Sequence, residues 1–145
     1  METTSKTRIK VVMYQDEFDA LTHSSIAENR GIDNRTISIL IYANLFNLIE
    51  RVYIPLRNRI EGVVISSGYR CWKLNKAVGG VANSQHLSGQ AMDFYCMDKS
   101  NLERAWETLQ EMNIDQAIRY RDFIHVSFVS FQNNRKGYID KRLTK

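Results

Sequence analysis

One long stretch of the chain, residues 34–59, carries apolar residues at helical spacing. Seven of them would share one helical face: Ile37, Leu40, Ile41, Leu45, Leu48, Val52 and Leu56. This three-to-four-residue period predicts an amphipathic helix that packs in the core. We expect Asn34 to be its N-cap, because an asparagine side chain can accept a hydrogen bond from the first helical turn. Pro55 predicts a kink, or a second segment running to Arg59, because proline lacks the N–H that an interior helix position donates.

Alternating apolar and polar residues predict a small sheet. The β-branched run at residues 63–67 predicts one strand, and residues 90–95 predict a second, with Met92 and Phe94 directed toward a core. Two further strands, residues 115–120 and 123–129, are predicted to form an antiparallel pair. Residues 11–13 are expected to add a short edge strand. Further helices are predicted over residues 16–21 with Asp16 as cap, and over 24–29, 71–78 and 101–112. Together these elements predict one α+β domain over residues 1–145, a small antiparallel sheet packed against helices, with flexible ends at 1–10 and 133–145.

Length and composition describe an ordinary globular chain. Its 145 residues are 43% hydrophobic and 25% charged, which is enough for one domain with a real core. Residues 1–10 lack the apolar segment of a signal peptide, and no apolar run approaches the ~20 residues of a membrane span. Cys71 and Cys96 cannot define a disulfide framework and are expected to be free thiols. The net charge of +4 suits an anionic partner, such as cell-wall polymer or nucleic acid, and specifies neither.

Titratable side chains gather between two of the predicted strands, in residues 66–93. His86 lies in a glycine-flanked loop, and Asp93 lies on the following strand, on the face opposite Met92 and Phe94. His125, on the last predicted strand, is the best candidate for a third member. Two imidazoles and a carboxylate match the ligands of catalytic zinc sites, which keep one position for water. These residues therefore predict a metal site formed by His86, Asp93 and His125.

Three other residues are candidates for roles around this site. Hydrolysis needs a carboxylate that takes a proton from water and passes it on, and Asp122, three residues before His125, could do so from a bend that enters the strand. Arg70 could hold a substrate carboxylate or carbonyl by paired hydrogen bonds. Ser84 could hydrogen-bond within its loop or contact substrate. His23 is assigned a structural role.

One combination of residues is far more specific than its members: Ser84-x-His86-x-x-Gly89-x-Ala91-x-Asp93, followed downstream by Asp122-x-x-His125. It resembles the signature of the peptidoglycan zinc peptidases. That family comprises D-Ala-D-Ala carboxypeptidases and dipeptidases and L-Ala-D-Glu endopeptidases, and it shares its fold with the hedgehog signalling domain. The resemblance also takes in residues 67–70 and 74–80 and covers about residues 16–131. Bacterial and phage members of the carboxypeptidase-like branch look most similar.

The resemblance implies one Zn2+ held by His86, Asp93 and His125, with Asp122 as catalytic acid/base and Arg70 as a substrate-binding residue. It implies hydrolysis of a peptide bond in peptidoglycan stem or cross-link peptides, by a carboxypeptidase or an endolysin-type endopeptidase. The partner is then a wall peptide and not nucleic acid, and we expect a monomer without a membrane span. Lacking a signal peptide, such a protein is expected to be made in the cytoplasm and to act on the cell wall after phage holin release or as a virion component.

Two alternatives stay open at this level. Non-haem iron oxygenases also use two histidines and a carboxylate, although the six residues between His86 and Asp93 and the small number of strands fit that class poorly. A non-catalytic metal-binding structural or wall-binding module of a virion or cell envelope would keep the fold, but it has no need of a base such as Asp122. Phe123 stands where relatives often carry Trp, and residues 119–121 are Arg-Tyr-Arg in a region where relatives often carry an acidic residue. These departures bear on substrate preference.

Overall fold

The computed structural model describes residues 13–142 and confirms the predicted α+β fold. Its five strands form one sheet in the order β1-β2-β4-β3-β5. The strands are β1 Val63–Ser67, β2 Ala91–Cys96, β3 Gln116–Arg119, β4 Ile124–Ser127 and β5 Gly137–Asp140. The first four are paired antiparallel, whereas β5 runs parallel to β3. The sheet is therefore mixed, and not purely antiparallel as predicted.

The helices lie mainly before and between the strands. They are α1 Gln15–Thr22, α2 Ser25–Asn29, α3 Ile39–Leu48, α4 Ile54–Arg59, α5 Trp72–Ala77 and α6 Asn101–Leu109, with a π-helical turn, Ile49–Tyr53, between α3 and α4. Pro55 is the second residue of α4, which agrees with the predicted second segment. Because proline cannot donate the hydrogen bond that an interior residue supplies, the preceding turn is where the regular α pattern gives way.

The hydrophobic core lies against one face of the sheet. Met92 and Phe94 of β2 and Ile124 and Val126 of β4 are completely buried. They belong to one cluster with residues of the central helical run and of α6: Leu45, Leu48, Ile49, Val52, Leu56, Leu102 and Leu109. Burying a side chain of this size contributes about 1.5–3 kcal/mol. Because strand residues alternate between faces, the neighbours of these core residues are left to form the opposite, polar face.

The helical run Ile39–Arg59 is the predicted core helix. It has 21 residues and a mean hydropathy of 1.3 in its most apolar window, which by length and composition would also suit a membrane span. Leu45, Leu48 and Val52 on its inner face are 0% exposed. The run thus packs one face into the protein interior. The prediction was wrong for Leu40, which the apolar spacing placed on that face but which is exposed at the start of the run, beside the exposed Ile39.

The predicted cap of this helix was wrong, and Asn34 has a different position. The side chain of Ser38 caps α3, whereas Asn34 is buried and binds three backbone groups from distant parts of the chain. Its amide group donates to the carbonyl oxygens of Thr22 and Tyr69, both at 2.9 Å, and its own oxygen accepts from the N–H of Cys71 at 2.7 Å. Asn34 therefore joins α1 to the segment that follows β1.

Two other local predictions differ from the structure. Asp16 lies inside α1, whose N-cap position is Tyr14 in the left-handed conformation with φ 59°. The C-terminal segment was predicted to be flexible from residue 133, but Gly137–Asp140 pairs with β3 along its whole length. Met13 begins a turn, while the rest of the predicted edge strand 11–13, the predicted flexible end 1–10 and residues 143–145 lie outside the described residues.

Candidate metal centre

Three side chains from different elements meet on the polar side of the sheet. Asp93 of β2 and His125 of β4 are directly paired across the two strands, and directly opposed residues place their side chains on the same face. His86 comes from the loop between α5 and β2. The structure therefore brings together the three residues that the sequence pattern predicts as metal ligands.

The distances among these side chains suit a single small cation. One ligand atom from each residue lies within 4.8 Å of the other two. Oδ1 of Asp93 is 2.9 Å from Nδ1 of His125 and 3.4 Å from Nε2 of His86. His86 is 3% exposed, whereas the side chains of Asp93 and His125 are 15% and 16% exposed. The centre is thus buried on the His86 side and open toward solvent on the other.

A backbone carbonyl sets the tautomer of His86. Nδ1 of His86 is 2.7 Å from the carbonyl oxygen of Gly68. Because a carbonyl oxygen only accepts, Nδ1 must carry the proton, which leaves Nε2 as the ring nitrogen that can bind a metal. Two imidazole nitrogens and one carboxylate oxygen are a donor set that zinc uses at open catalytic sites. The residues of this centre therefore fit one zinc ion.

Asp93 is ionised under neutral conditions. Burial raises the pKa of its carboxyl, but the hydrogen bond from His125 and the adjacent imidazole of His86 outweigh that effect and hold the pKa well below its ordinary value. An ionised carboxylate is the form that binds a metal cation. The Asp93 carboxylate therefore already has, in the metal-free protein, the charge that metal binding requires.

Short backbone contacts fix the position of His86. The hydroxyl of Ser84 accepts a hydrogen bond from the N–H of His86 at 3.1 Å, and the N–H of Arg70 donates to the carbonyl of His86 at 3.0 Å. Ser84 therefore fills the loop role, one of the two that the sequence left open. Gly68 allows the end of β1 to approach α1 closely, since a Cβ there would lie 2.4 Å from the carbonyl oxygen of Leu21.

Arg70 lies directly beside the centre. Its Nη2 is 4.0 Å from Oδ2 of Asp93 and its side chain is 18% exposed, while its Nη1 donates to the side-chain oxygen of Asn75 at 3.2 Å. Asn75 is 1% exposed, and its amide group donates to the carbonyl of Val81 at 2.9 Å. Asn75 thus ties Arg70 to the loop that carries His86. Nothing in the sequence indicated this role for Asn75 beyond its place in residues 74–80, which are part of the family resemblance.

Arg70 also lines a cleft of about 270 Å³. The turn between α1 and α2, the end of β1 and the helix α5 form its walls. Its lining is rich in hydroxyl groups and includes His23, which the sequence had assigned a structural role: His23, Ser24, Ser25, Ile26, Ser66, Ser67, Tyr69, Arg70, Leu74 and Val78. Arg70 therefore adjoins both the metal centre and a polar cleft.

Asp122 is not among the side chains that converge. It lies in the tight turn between β3 and β4, in which the N–H of Tyr120 donates to the carbonyl of Phe123 at 2.9 Å, so it occupies the bend that the sequence predicts. Its carboxylate is 2.5 Å from Nζ of Lys99, and its side chain is 60% exposed. The hydrogen bond from Lys99 lowers the pKa of Asp122. To act at the centre, the Asp122 side chain would have to leave Lys99.

Asp115 is a buried carboxylate that the sequence did not single out. It precedes β3, its side chain is 1% exposed, and it pairs with Arg135. Nothing in the local sequence distinguishes it from a surface residue at the start of a strand. Cys71 and Cys96 are both free thiols, as expected.

Comparison with known families agrees with this geometry. The family model for Peptidase M15 matches residues 17–127, well over half of the 145 residues. The matched region contains the three predicted ligands together with Arg70 and Asp122. No curated protein matches the chain. Because the match is to a family of hydrolases, the iron-oxygenase alternative is rejected. The chain therefore belongs to the Peptidase M15 family of zinc-dependent metallopeptidases.

Proposed function

We propose that this peptidase hydrolyses a peptide bond in the stem or cross-link peptides of peptidoglycan, as a D-Ala-D-Ala carboxypeptidase-like enzyme or an endolysin-type endopeptidase. The observation that carries the proposal is the position of Arg70, 4.0 Å from Asp93 and at the edge of the cleft. Arginine binds carboxylates and carbonyls through paired, charge-assisted hydrogen bonds. A peptide with a carboxylate near its scissile bond would be held with that bond beside the metal centre.

The chain's own residues supply most of the chemistry. His86, Asp93 and His125 would hold zinc, which when bound lowers the pKa of a water toward ~7 and polarises a carbonyl. Arg70 would orient the substrate, which reduces the entropic cost of bringing the reactants together. Asp122, released from Lys99, would take a proton from the attacking water and return a proton to the departing amine as the C–N bond breaks.

The net charge of +4 favours approach to the anionic polymers of a cell wall. We expect such an enzyme to reach the wall after release from the cytoplasm through a phage holin, or as a component of a virion, and to act there as a monomer on wall peptides and not on nucleic acid.

One observation favours a second candidate, a non-catalytic metal-binding module of a virion or cell envelope. The carboxylate of Asp122 is bound to Lys99 and not directed at the metal centre. If that ion pair persists in the metal-loaded protein, the centre lacks its acid/base.

The test is digestion of defined muropeptides by the zinc-loaded protein, followed by mass spectrometry of the products. We expect one new pair of fragments, whose masses identify the scissile bond. The variant His125→Ala, which loses one of the zinc ligands, should release no fragments. If the wild-type protein binds one zinc per chain and cleaves none of the muropeptides, the enzymatic proposal is wrong and the binding module is favoured.

A further inference from the structure

The buried carboxylate of Asp115 connects three separate parts of the chain. Its Oδ1 accepts hydrogen bonds from the backbone N–H and Nε of Arg135, both at 3.0 Å. Its Oδ2 accepts from Nη2 of Arg135 at 2.7 Å, from Nε2 of Gln85 at 3.0 Å and from the hydroxyl of Ser127 at 3.1 Å. Both oxygens are therefore fully used, although the side chain is 1% exposed.

A carboxylate in this position needs its partners. Burying a charge is costly unless it is paired and hydrogen-bonded. The guanidinium of Arg135 binds both oxygens of Asp115, while the Arg135 side chain itself remains 61% exposed. The cation stays hydrated at the surface and neutralises an anion that lies inside.

The partners of Asp115 are neighbours of two metal ligands. Gln85 directly precedes His86 in a loop without helix or strand, so its side-chain contact with Asp115 acts right beside a predicted ligand. Ser127 follows His125 by two residues on β4, and residues two apart on a strand share a face. Asp115 thus contacts the loop that carries one ligand and the strand that carries another.

We infer that Asp115 is a positioning residue that sets the separation of His86 and His125 through Gln85 and Ser127. The inference rests on the zinc binding that the proposed function requires. Its distinctive element is the contact between Gln85 and Asp115, because Gln85 is directly adjacent to His86, whose own contacts are with the carbonyl of Gly68 and the N–H of Arg70 beside β1. The loop also meets the His125 side at its end, where the N–H of Phe128 donates to the carbonyl of Gln90 at 2.9 Å. Without the Gln85 contact, the residue next to His86 would lose its own link to that side of the centre.

The variant Gln85→Met tests this directly. Methionine has a similar length but cannot donate a hydrogen bond, and Asp115 keeps its contacts with Arg135 and Ser127, so the fold should persist. Removing groups that orient metal ligands commonly weakens metal binding 10–100-fold. Because Gln85 acts through the loop, we expect zinc affinity to fall about tenfold, at the lower end of that range. Zinc affinity is measured by competition with a chromophoric chelator, and urea unfolding of the metal-free protein monitors the fold.

Two further variants sharpen the test. Gln110→Met removes the same amide from an exposed glutamine at the end of α6 and should leave zinc affinity unchanged. Gln85→Glu places a second carboxylate against Asp115, and like-charge repulsion should weaken zinc binding more than Gln85→Met does. The visible spectrum of the cobalt-substituted protein should shift in both Gln85 variants and not in Gln110→Met, since it reports ligand geometry and not overall stability.

The outcomes separate this inference from the proposed function. If wild-type protein binds zinc and Gln85→Met binds it within twofold of wild type, with an unchanged cobalt spectrum, the positioning role is refuted while the peptidase proposal stands. If wild-type protein binds no zinc, both are refuted. A tenfold loss confined to the Gln85 variants supports the role of Asp115.

Discussion

Replacing Gly68 with alanine should damage both the fold and the metal centre. Gly68 lies just after β1, where its carbonyl oxygen accepts from Nδ1 of His86 at 2.7 Å. A Cβ at this position would lie 2.4 Å from the carbonyl oxygen of Leu21 and 2.8 Å from its Cα. The obstacle is backbone, so it cannot be relieved by turning a side chain. The end of β1 and the end of α1 must move apart.

The size of the effect follows from these distances. The oxygen contact must widen from 2.4 Å toward the 3.4 Å of ordinary packing, and overpacking of this kind typically costs ~1–3 kcal/mol. The same shift stretches the hydrogen bond from the N–H of Tyr69 to Leu21, now 2.7 Å, which adds ~1 kcal/mol. We expect the free energy of unfolding to fall by ~2–4 kcal/mol, a large share of the ~5–15 kcal/mol of an average domain.

Zinc affinity should fall as well, because the carbonyl that orients His86 moves with Gly68. Loss of a hydrogen-bond partner of a metal ligand commonly weakens binding 10–100-fold. The matched control is Gly31→Ala. Gly31 has φ +67°, and among the described residues nothing lies within 4 Å of its Cβ position. The control should cost ~1–2 kcal/mol from backbone strain alone and leave zinc affinity unchanged.

Both proteins are compared by urea unfolding without metal and by chelator competition for zinc. A Gly68→Ala protein that is as stable as Gly31→Ala and binds zinc as tightly as the wild type would refute both the steric clash and the orienting role of the Gly68 carbonyl. If Gly68→Ala loses stability but keeps its zinc affinity, the clash with the Leu21 backbone is supported and the orienting role of the Gly68 carbonyl is refuted.

Three further predictions test other parts of the site. Asp122→Asn should retain zinc and fold, because its ion pair is exposed and such pairs stabilise little, but it should slow hydrolysis ~10²–10⁴-fold; unchanged turnover at equal zinc occupancy would exclude Asp122 as the acid/base. Arg70→Ala should impair hydrolysis of substrates with a carboxylate near the scissile bond at unchanged zinc content, and wild-type kcat/KM for every muropeptide would contradict this. The pKa of Asp115 is lowered in the folded protein, chiefly by its hydrogen bond to Arg135, so this carboxylate stabilises the fold above the ordinary pKa of ~3.9 and that contribution is lost as pH falls toward the folded value. Unfolding of metal-free Asp115→Asn should thus depend less on pH below about 4 than unfolding of the wild type, and equal pH dependence would count against the pairing.

The parts of this fold that could be predicted are those encoded by local patterns. The β-branched run 63–67 coincides with β1, and α2 lies within the predicted helix 24–29. The alternation in 90–95 placed Asp93 opposite Met92 and Phe94, which led to the correct face. Local patterns of these kinds favour a helix or a strand whatever the segment later packs against, so they can be recognised from sequence.

The parts that could not be predicted depend on contacts between distant residues. Asn34 follows the pattern of an N-cap, yet its partners lie 12 to 37 residues away. Asp115 looks like an exposed strand start until Arg135 and Gln85 are brought to it by the fold. The pairing of β5 with β3 is parallel and joins segments about 20 residues apart, so no hairpin signal announces it.

The position of β5 affects where a recombinant version of this protein can safely end. The family match stops at residue 127, and an expression clone cut there would still encode every predicted ligand. It would omit Arg135, leaving the buried charge of Asp115 without its cation, and it would expose the backbone edge of β3 that Gly137–Asp140 covers. Bare strand edges promote aggregation. Clones and fusion joints should therefore be placed beyond residue 142, since the folding unit extends past the region by which the family is recognised.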